Sequence, residues 1–204
     1  MTVAVLPVKD PAGAKQRLAG VMDLPAREAL ARAMYEHVLE VLRQARRVQR
    51  ILVVTSHPAT AERARQAGAL VMPERLQLGH SSSAGRAALR AQTLGATTAL
   101  LLPIDIPLVT PAEIDDLVAG ARPGVRIVPD TAGTGTNALV LTPPGAIEPC
   151  FGPGSFARHL GQARRRGLAV EVRRPPGVVF DVDTPEDARE LLARRPDWRG
   201  RLGR

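Results

Sequence analysis

The sequence predicts a single α/β domain built around a mainly parallel β-sheet with flanking helices. Its 204 residues, 45% of them hydrophobic, suit one packed core. Short β-branched apolar runs alternate with stretches of helical period, the mark of β-α-β units. The 18 glycines and 18 prolines are spread between those stretches, so they signal turns rather than low complexity.

Val3 to Val8 reads as the first strand. Pro25 to about Ala45 follows as a helix, with Asp23 a candidate cap and Leu30, Met34, Val38, Val41 and Leu42 on one face. Ile51 to Thr55 is a second strand; then come a short helix Ala59 to Ala67, a short strand Leu70 to Met72 and a helix Ala84 to Leu94. Thr98 to Leu102 is a continuous apolar run of the kind buried on both faces of a parallel sheet. Thr110-Pro111-Ala112-Glu113 and Thr184-Pro185-Glu186-Asp187 each place Thr at the N-cap, Pro at the first helical position and an acid at the third, so both open helices. Between them are expected strands Arg126 to Val128 and Ala138 to Leu141, a helix Ser155 to Arg166, and strands Ala169 to Val172 and Val178 to Val182. The domain is expected to span 1–193, leaving 194–204, with Pro196, Gly200 and Gly203, as a frayed basic tail.

The net charge of +8 invites a nucleic-acid reading, but its distribution argues against one. Residues 156–204 hold +5 of it, and the whole chain has only three Phe, one Trp and one Tyr for stacking on bases. Cys150 is the single cysteine and the four histidines are scattered, which excludes an internal disulfide and the usual zinc spacings. Met1 to Val8 lacks a secretory pattern, and no apolar run approaches the ~20 residues a bilayer span needs, so a cytoplasmic setting is expected. Of the 28 basic residues 26 are Arg, and the two lysines, Lys9 and Lys15, come first. A coding bias towards Arg explains the 26; two compact ammonium groups close together point to a place where a planar guanidinium does not substitute.

Asp105 follows the most buried-looking strand, where ligands of open α/β sheets gather outside the strands' carboxyl ends. Asp181 and Asp183 sit two apart at the end of the last expected strand, so their carboxylates should share a face. Carboxylates from separate strand ends fit Mg²⁺, which completes its shell with water and substrate phosphates. Gly133-Thr134-Gly135-Thr136-Asn137-Ala138 matches a dinucleotide fingerprint by letter, but a strand and not a helix follows, so it reads as a hydroxyl-bearing turn able to meet an anion, or as a plain hairpin turn. Phe151-Gly152-Pro153-Gly154-Ser155-Phe156 runs into a helix and can present free N–H groups to a phosphate or carboxylate, with Ser155 as a further donor or simply as N-cap. His159, one turn later, reads as a surface residue rather than a base. No Ser-His-Asp or Cys-His set is present, and the inventory fits phosphoryl-type transfer, which needs no protein nucleophile.

Several blocks, in order from residue 3 to about 192, together resemble the CofC/FbiD family. They are Pro7-Val8-Lys9 with Ala14-Lys15-Gln16-Arg17-Leu18-Ala19, Leu102-Pro103-Ile104-Asp105-Ile106-Pro107, Gly135-Thr136-Asn137-Ala138-Leu139, Phe151 to Phe156, and Phe180-Asp181-Val182-Asp183-Thr184-Pro185-Glu186-Asp187. The resemblance implies a Rossmann-like nucleotide-diphospho-sugar transferase fold. It also implies guanylyl transfer from GTP to the phosphate of phosphoenolpyruvate or 2-phospho-L-lactate, in coenzyme F(420) biosynthesis. By motif position, Asp105 and Asp183 would hold Mg²⁺, Thr136, Gly152 and Ser155 would bind the phosphorylated three-carbon acid, Lys9 and Lys15 would face phosphates, and Arg17 would assist at the nucleotide. The chain departs from the family pattern around Gly79 to Ala88, where a Leu-Asn-Ala-Ala stretch is expected near the nucleotide and this chain has Ser81-Ser82-Ser83-Ala84-Gly85-Arg86-Ala87-Ala88.

The expected partners are therefore GTP and a small phosphorylated acid, with no nucleic acid and no membrane; a homodimer stays open. Two rivals also stay open. One is another Mg²⁺-dependent nucleotidyltransferase, acting on a molybdenum cofactor precursor or a sugar phosphate, against which the first loop reads Val8-Lys9-Asp10-Pro11 instead of a glycine-rich turn. The other is a basic, non-enzymatic binder of RNA or anions.

Overall fold

A computed structural model describes residues 1–9, 13, 15–74 and 79–202. Asp10 and Pro11 of the first loop, Ala14 of its motif, and Gly203 and Arg204 of the tail lie outside the described residues. The elements run β1 (Thr2–Pro7), a single 3-10 turn (Gln16–Leu18), α1 (Leu24–Gln44), β2 (Arg50–Thr55), α2 (Pro58–Gln66), β3 (Leu70–Pro73), α3 (His80–Thr93) and β4 (Thr98–Leu101). They continue with α4 (Pro111–Val118), β5 (Gly124–Pro129), β6 (Thr136–Thr142), α5 (Ser155–Arg165), β7 (Val170–Val172), α6 (Pro176–Val179), α7 (Pro185–Arg194) and α8 (Trp198–Leu202).

The seven strands form one sheet in the order β3-β2-β1-β4-β6-β5-β7. Only β6 runs against the rest, pairing antiparallel with both β4 and β5. In β1, Ala4 and Leu6 enter the core beneath α1 and α4, while Val3 and Val5 enter the core beneath α3 and α5. Both faces are covered, so the strand reads as an unbroken apolar run and not as an alternation. The same holds for β4, with Leu100 on one side and Ala99 and Leu101 on the other. Asp23 caps α1 by accepting from Ala26 N–H, and both Thr-Pro starts form full capping boxes, as expected.

Two expectations are corrected. Val178 to Val182 is not a strand: α6 takes Pro176–Val179, and the chain then runs extended without a ladder. The run is apolar because Val178, Phe180 and Val182 are buried, but its backbone groups are met elsewhere. The side-chain amide of Asn137 donates to the carbonyls of Val178 and Val179, and Val182 N–H donates to the carbonyl of Asp105 at 3.0 Å. Gly177 N–H donates to Glu113 Oε1 at 2.7 Å, and a Cβ there would meet Leu108 O at 2.4 Å, so only glycine allows this close crossing. The frayed tail after residue 193 is also corrected. Trp198 is 0% exposed and joins a third core cluster with Leu18, Leu30, Met34, Phe180, Val182 and Leu191. Proline and glycine near a chain end suggest fraying, but burying one indole outweighs the local propensities.

Candidate active site at the carboxyl ends of the central strands

A cavity of about 1270 Å³ opens at the carboxyl ends of β1 and β4 and extends along α1 and α2. Its lining includes Lys9, Lys15, Arg17, His80, Asp105 and Asp183. Five of the residues singled out by sequence thus meet in one place. Lys15 Nζ lies 2.8 Å from Asp105 Oδ2 and 2.9 Å from Asp183 Oδ1, bridging carboxylates 90 and 168 residues away in sequence. Arg17 approaches Asp183 Oδ2 at 3.6 Å from a largely exposed position. Lys15 is 9% exposed; burial works against its ammonium, but the charges of Asp105 and Asp183 outweigh burial and hold its pKa above the ordinary value. It is also the one non-glycine with a positive φ, 52°, among the described residues, a conformation that costs roughly 1–2 kcal/mol for a residue with a Cβ. Lys9 is exposed on the cavity wall and makes no ion pair among the described residues.

Local structure explains how Asp183 reaches Asp105 without a strand to carry it. The capping carboxylate of Asp187 accepts from both Asp183 N–H (3.0 Å) and Thr184 N–H (2.7 Å), which fixes the turn into α7. The Val182–Asp105 backbone bond then sets the two loops side by side. Asp181 turns to Asn137 Nδ2 (3.2 Å), and burial, followed by the charge of Asp105, raises its pKa to about 6. Asp181 and Asp183 therefore reach the same region through loop geometry and not through strand alternation. His80, at the start of α3, is held below its ordinary pKa by burial, opposed by Asp105.

Thr136, Gly152 and Ser155 do not line this cavity; they form a cluster of their own beside it. Ser155 Oγ donates to Thr136 Oγ1 at 3.2 Å, and Thr136 Oγ1 is 3.0 Å from His159 Nδ1. His159 is 0% exposed, which corrects its reading as a surface residue, and burial lowers its pKa to about 4. Gly154, at φ 70°, is the N-cap of α5, so Ser155 does not cap the helix and its hydroxyl is turned inward. Gly152 has φ 102°, open only to glycine without strain, and its carbonyl accepts from Ser155 N–H at 3.0 Å. The other glycine-rich turn has an internal anion: Asp130 accepts from Thr134 N–H and Gly135 N–H, both at 2.9 Å. Phe151 joins the cluster to the cavity wall, its ring edge-to-face with His80 at 5.1 Å and with His159 at 5.5 Å.

Comparison with known proteins decides what this arrangement belongs to. The family described as "Guanylyl transferase CofC like" matches residues 2–199. The chain belongs to that family. A protein of Conexibacter woesei named phosphoenolpyruvate guanylyltransferase is 43% identical over 200 residues, covering 95% of this chain and 90% of its own. One of the same name from Rubrobacter xylanophilus is 46% identical over 193 residues, covering 93% of each. A solved nucleotidyl transferase from Methanothermobacter thermautotroptrophicus superposes with a TM-score of 0.68 at 18% identity, over 95% of this chain and 97% of that one, a likeness of fold. The CofC-like chain is thus a nucleotidyltransferase domain, and no helix among its described residues is long and apolar enough to cross a membrane.

The implied metal fits this CofC-like site in one respect. Asp105 and Asp183 aim hard oxygens at a single cation, here the Lys15 ammonium, and a divalent ion would take the same donors. No cluster of three or more His, Cys, Asp or Glu groups with ligand geometry exists among the described residues, so the protein share would be small and water and phosphates would supply the rest. Sequence reasoning missed Asn137, Asp187, His80 and His159 as site residues. Asp187 was explained by its cap alone. The i, i+4 spacing of Ser155 and His159 on one helix face was the available signal for the last.

Proposed function

We propose that this chain transfers GMP from GTP to the phosphate of phosphoenolpyruvate, releasing pyrophosphate, a step of coenzyme F(420) biosynthesis as the family resemblance implies. The convergence of Lys15, Asp105 and Asp183 on one point in a large cavity at the strand ends carries the reading. The acid brings its own ionised phosphate as nucleophile. One of its oxygens bonds to the α-phosphorus of GTP as the bond from that phosphorus to the bridging oxygen of the β-phosphate breaks, so no general base is needed. The barrier is chiefly the approach of anion to anion. Lys9 and Arg17, both on the cavity wall, offset that repulsion by position alone. Lys15 bridges both carboxylates and offsets one of their two charges before substrate arrives, and its flexible stem lets the ammonium turn to phosphate oxygens in the same space. Held by Asp105 and Asp183, Mg²⁺ would withdraw charge from the reacting phosphate oxygens. Thr136, Gly152 and Ser155 receive the acid, with the Thr136 hydroxyl, whose oxygen takes the Ser155 proton, as donor in place of further charge.

The test is pyrophosphate release by the purified protein with Mg²⁺, each of the four nucleoside triphosphates, and phosphoenolpyruvate, 2-phospho-L-lactate or 3-phosphoglycerate. Release is expected with GTP and phosphoenolpyruvate together and with neither alone. Silence with every pair refutes the reading, and equal rates with all four triphosphates refute guanine selection.

A further inference from the structure

We propose that His159 is a positioning residue that turns the Thr136 hydroxyl into a fixed donor, so that its proton points to the bound phosphorylated acid. The proposal rests on the reading that Thr136 and Ser155 receive that acid. The hydrogen-bond directions follow from a single backbone group. Cys150 N–H donates to His159 Nε2 at 2.9 Å, and a backbone amide has no other role available to it. Nε2 must therefore carry a lone pair, and a neutral imidazole then carries its proton on Nδ1. That proton meets Thr136 Oγ1 at 3.0 Å. The Ser155 hydroxyl donates to the same oxygen at 3.2 Å. A hydroxyl oxygen accepts two bonds and donates one, so both acceptor positions of Thr136 are filled and its own proton is left over. Among the described residues no acceptor takes it.

The ring itself is held firmly. His159 is 0% exposed, one turn beyond Ser155 on the buried face of α5, and Phe151 packs edge-on against it. Its burial keeps it neutral, which the direction of the relay requires. A serine or threonine hydroxyl ordinarily rotates to suit its neighbours. Here the neighbours settle the rotor before ligand arrives, so the acid meets a donor already aimed. A donor prepared in this way strengthens ground-state binding of the acid and leaves the rate of the bound complex alone.

Two amide substitutions separate this role from bracing of the loop. In His159→Asn the amide nitrogen takes the place of Nδ1, keeping the donor to Thr136 and losing the acceptor for Cys150. In His159→Gln the amide reaches the Nε2 position, keeping the Cys150 contact and losing the donor. Steady-state kinetics are expected to show KM for phosphoenolpyruvate raised about 10-fold in His159→Gln, the size of one hydrogen bond to an anion, with kcat and KM for GTP unchanged. His159→Asn should stay within about 2-fold of wild type on all three. The reverse ranking, or no change in either variant, overturns the proposal. Nitrogen NMR of the imidazole in the unliganded wild-type protein reads the tautomer directly. A proton on Nδ1 supports the relay and one on Nε2 overturns it, whether or not either variant folds. If wild-type protein gives no turnover with GTP and phosphoenolpyruvate, the assignment of the acid falls, and the tautomer still decides the direction of the relay.

Discussion

Replacing Lys15 by Met removes one charge from the point where two carboxylates meet, and the consequences are large enough to measure without substrate. Methionine keeps the length and apolar body of the stem, so the change isolates the ammonium. In wild type Nζ is 2.8 and 2.9 Å from its two partners, and the lysine is 9% exposed while the carboxylates are 25% and 43% exposed. Breaking a fully buried pair costs about 3–5 kcal/mol; water still reaches both carboxylates here, which brings the expected loss to roughly 1–3 kcal/mol. For a chain of this length each kcal/mol moves Tm by about 2–4 °C, so thermal unfolding in EDTA should fall by roughly 2–12 °C. Adding Mg²⁺ should then restore more stability to Lys15→Met than it adds to wild type, because the cation no longer competes with an ammonium for the same oxygens. Pyrophosphate release should drop by roughly 100-fold or more, since the charge facing the phosphates is gone. A variant as stable as wild type in EDTA, with an equal response to Mg²⁺, would show that the bridge is not what holds these carboxylates, and the account of the cavity floor would fail.

Other outcomes follow from the same geometry. Asp183→Asn should lower kcat by orders of magnitude with a smaller loss of Tm than Lys15→Met, because Asp105 still pairs with Lys15 and the backbone N–H of residue 183 still bonds to Asp187; near wild-type turnover removes Asp183 from the metal role. Trp198→Ala should cost about 3–5 kcal/mol by urea denaturation, and a loss under 1 kcal/mol would return residues 194–202 to a loosely held tail. His159, held at about 4 by burial, binds fewer protons folded than unfolded between that value and 6.5, so its burial destabilises the fold as pH falls through that window and costs nothing above it. Between pH 7 and pH 5 this amounts to about 2 kcal/mol, so wild type should lose about that much more urea stability than His159→Asn, and equal acid sensitivity would place the titration elsewhere.

How much of this was legible in the sequence depends on how local each signal is. The capping boxes at Thr110 and Thr184 are complete within four residues, and both formed as read. The central strands announced themselves through apolar runs buried on both faces, and those runs located the strand ends at which Lys9 and Asp105 stand. Val178 to Val182 failed because a β-branched apolar run reports burial, whereas a strand also needs a neighbouring ladder, and here the side chains of Asn137 and Glu113 stand in for one. No pattern within the segment records that Asn137, some 40 residues earlier, takes its carbonyls.

The pairing of Lys15 was opaque for a related reason. Sequence reasoning treats a lysine near phosphate-binding motifs as a phosphate ligand and a pair of aspartates as a metal site, each in isolation. Placed within 3 Å of one another, they solve each other's problem: two buried-edge carboxylates need a cation, and a nearly buried ammonium needs anions. Arginine could not fill that role equally well, because its planar fork favours bidentate contact with one carboxylate over a point contact with two. In a chain whose other 26 basic residues are all arginine, the bridge is thus a physical reason for lysine at position 15. It gives no such reason at position 9, where the side chain stands exposed on the cavity wall without an ion pair among the described residues. Lys9→Arg and Lys15→Arg should therefore differ. The first keeps a mobile positive charge facing the same space and should retain most activity, with a change confined to KM for GTP. The second has to choose one carboxylate, so it should lose both the EDTA stability and the turnover that Lys15→Met loses, only to a smaller extent. Thermal unfolding and pyrophosphate release on the two variants, side by side, check the contrast; equal behaviour would mean that charge alone, and not its shape, matters at the cavity floor.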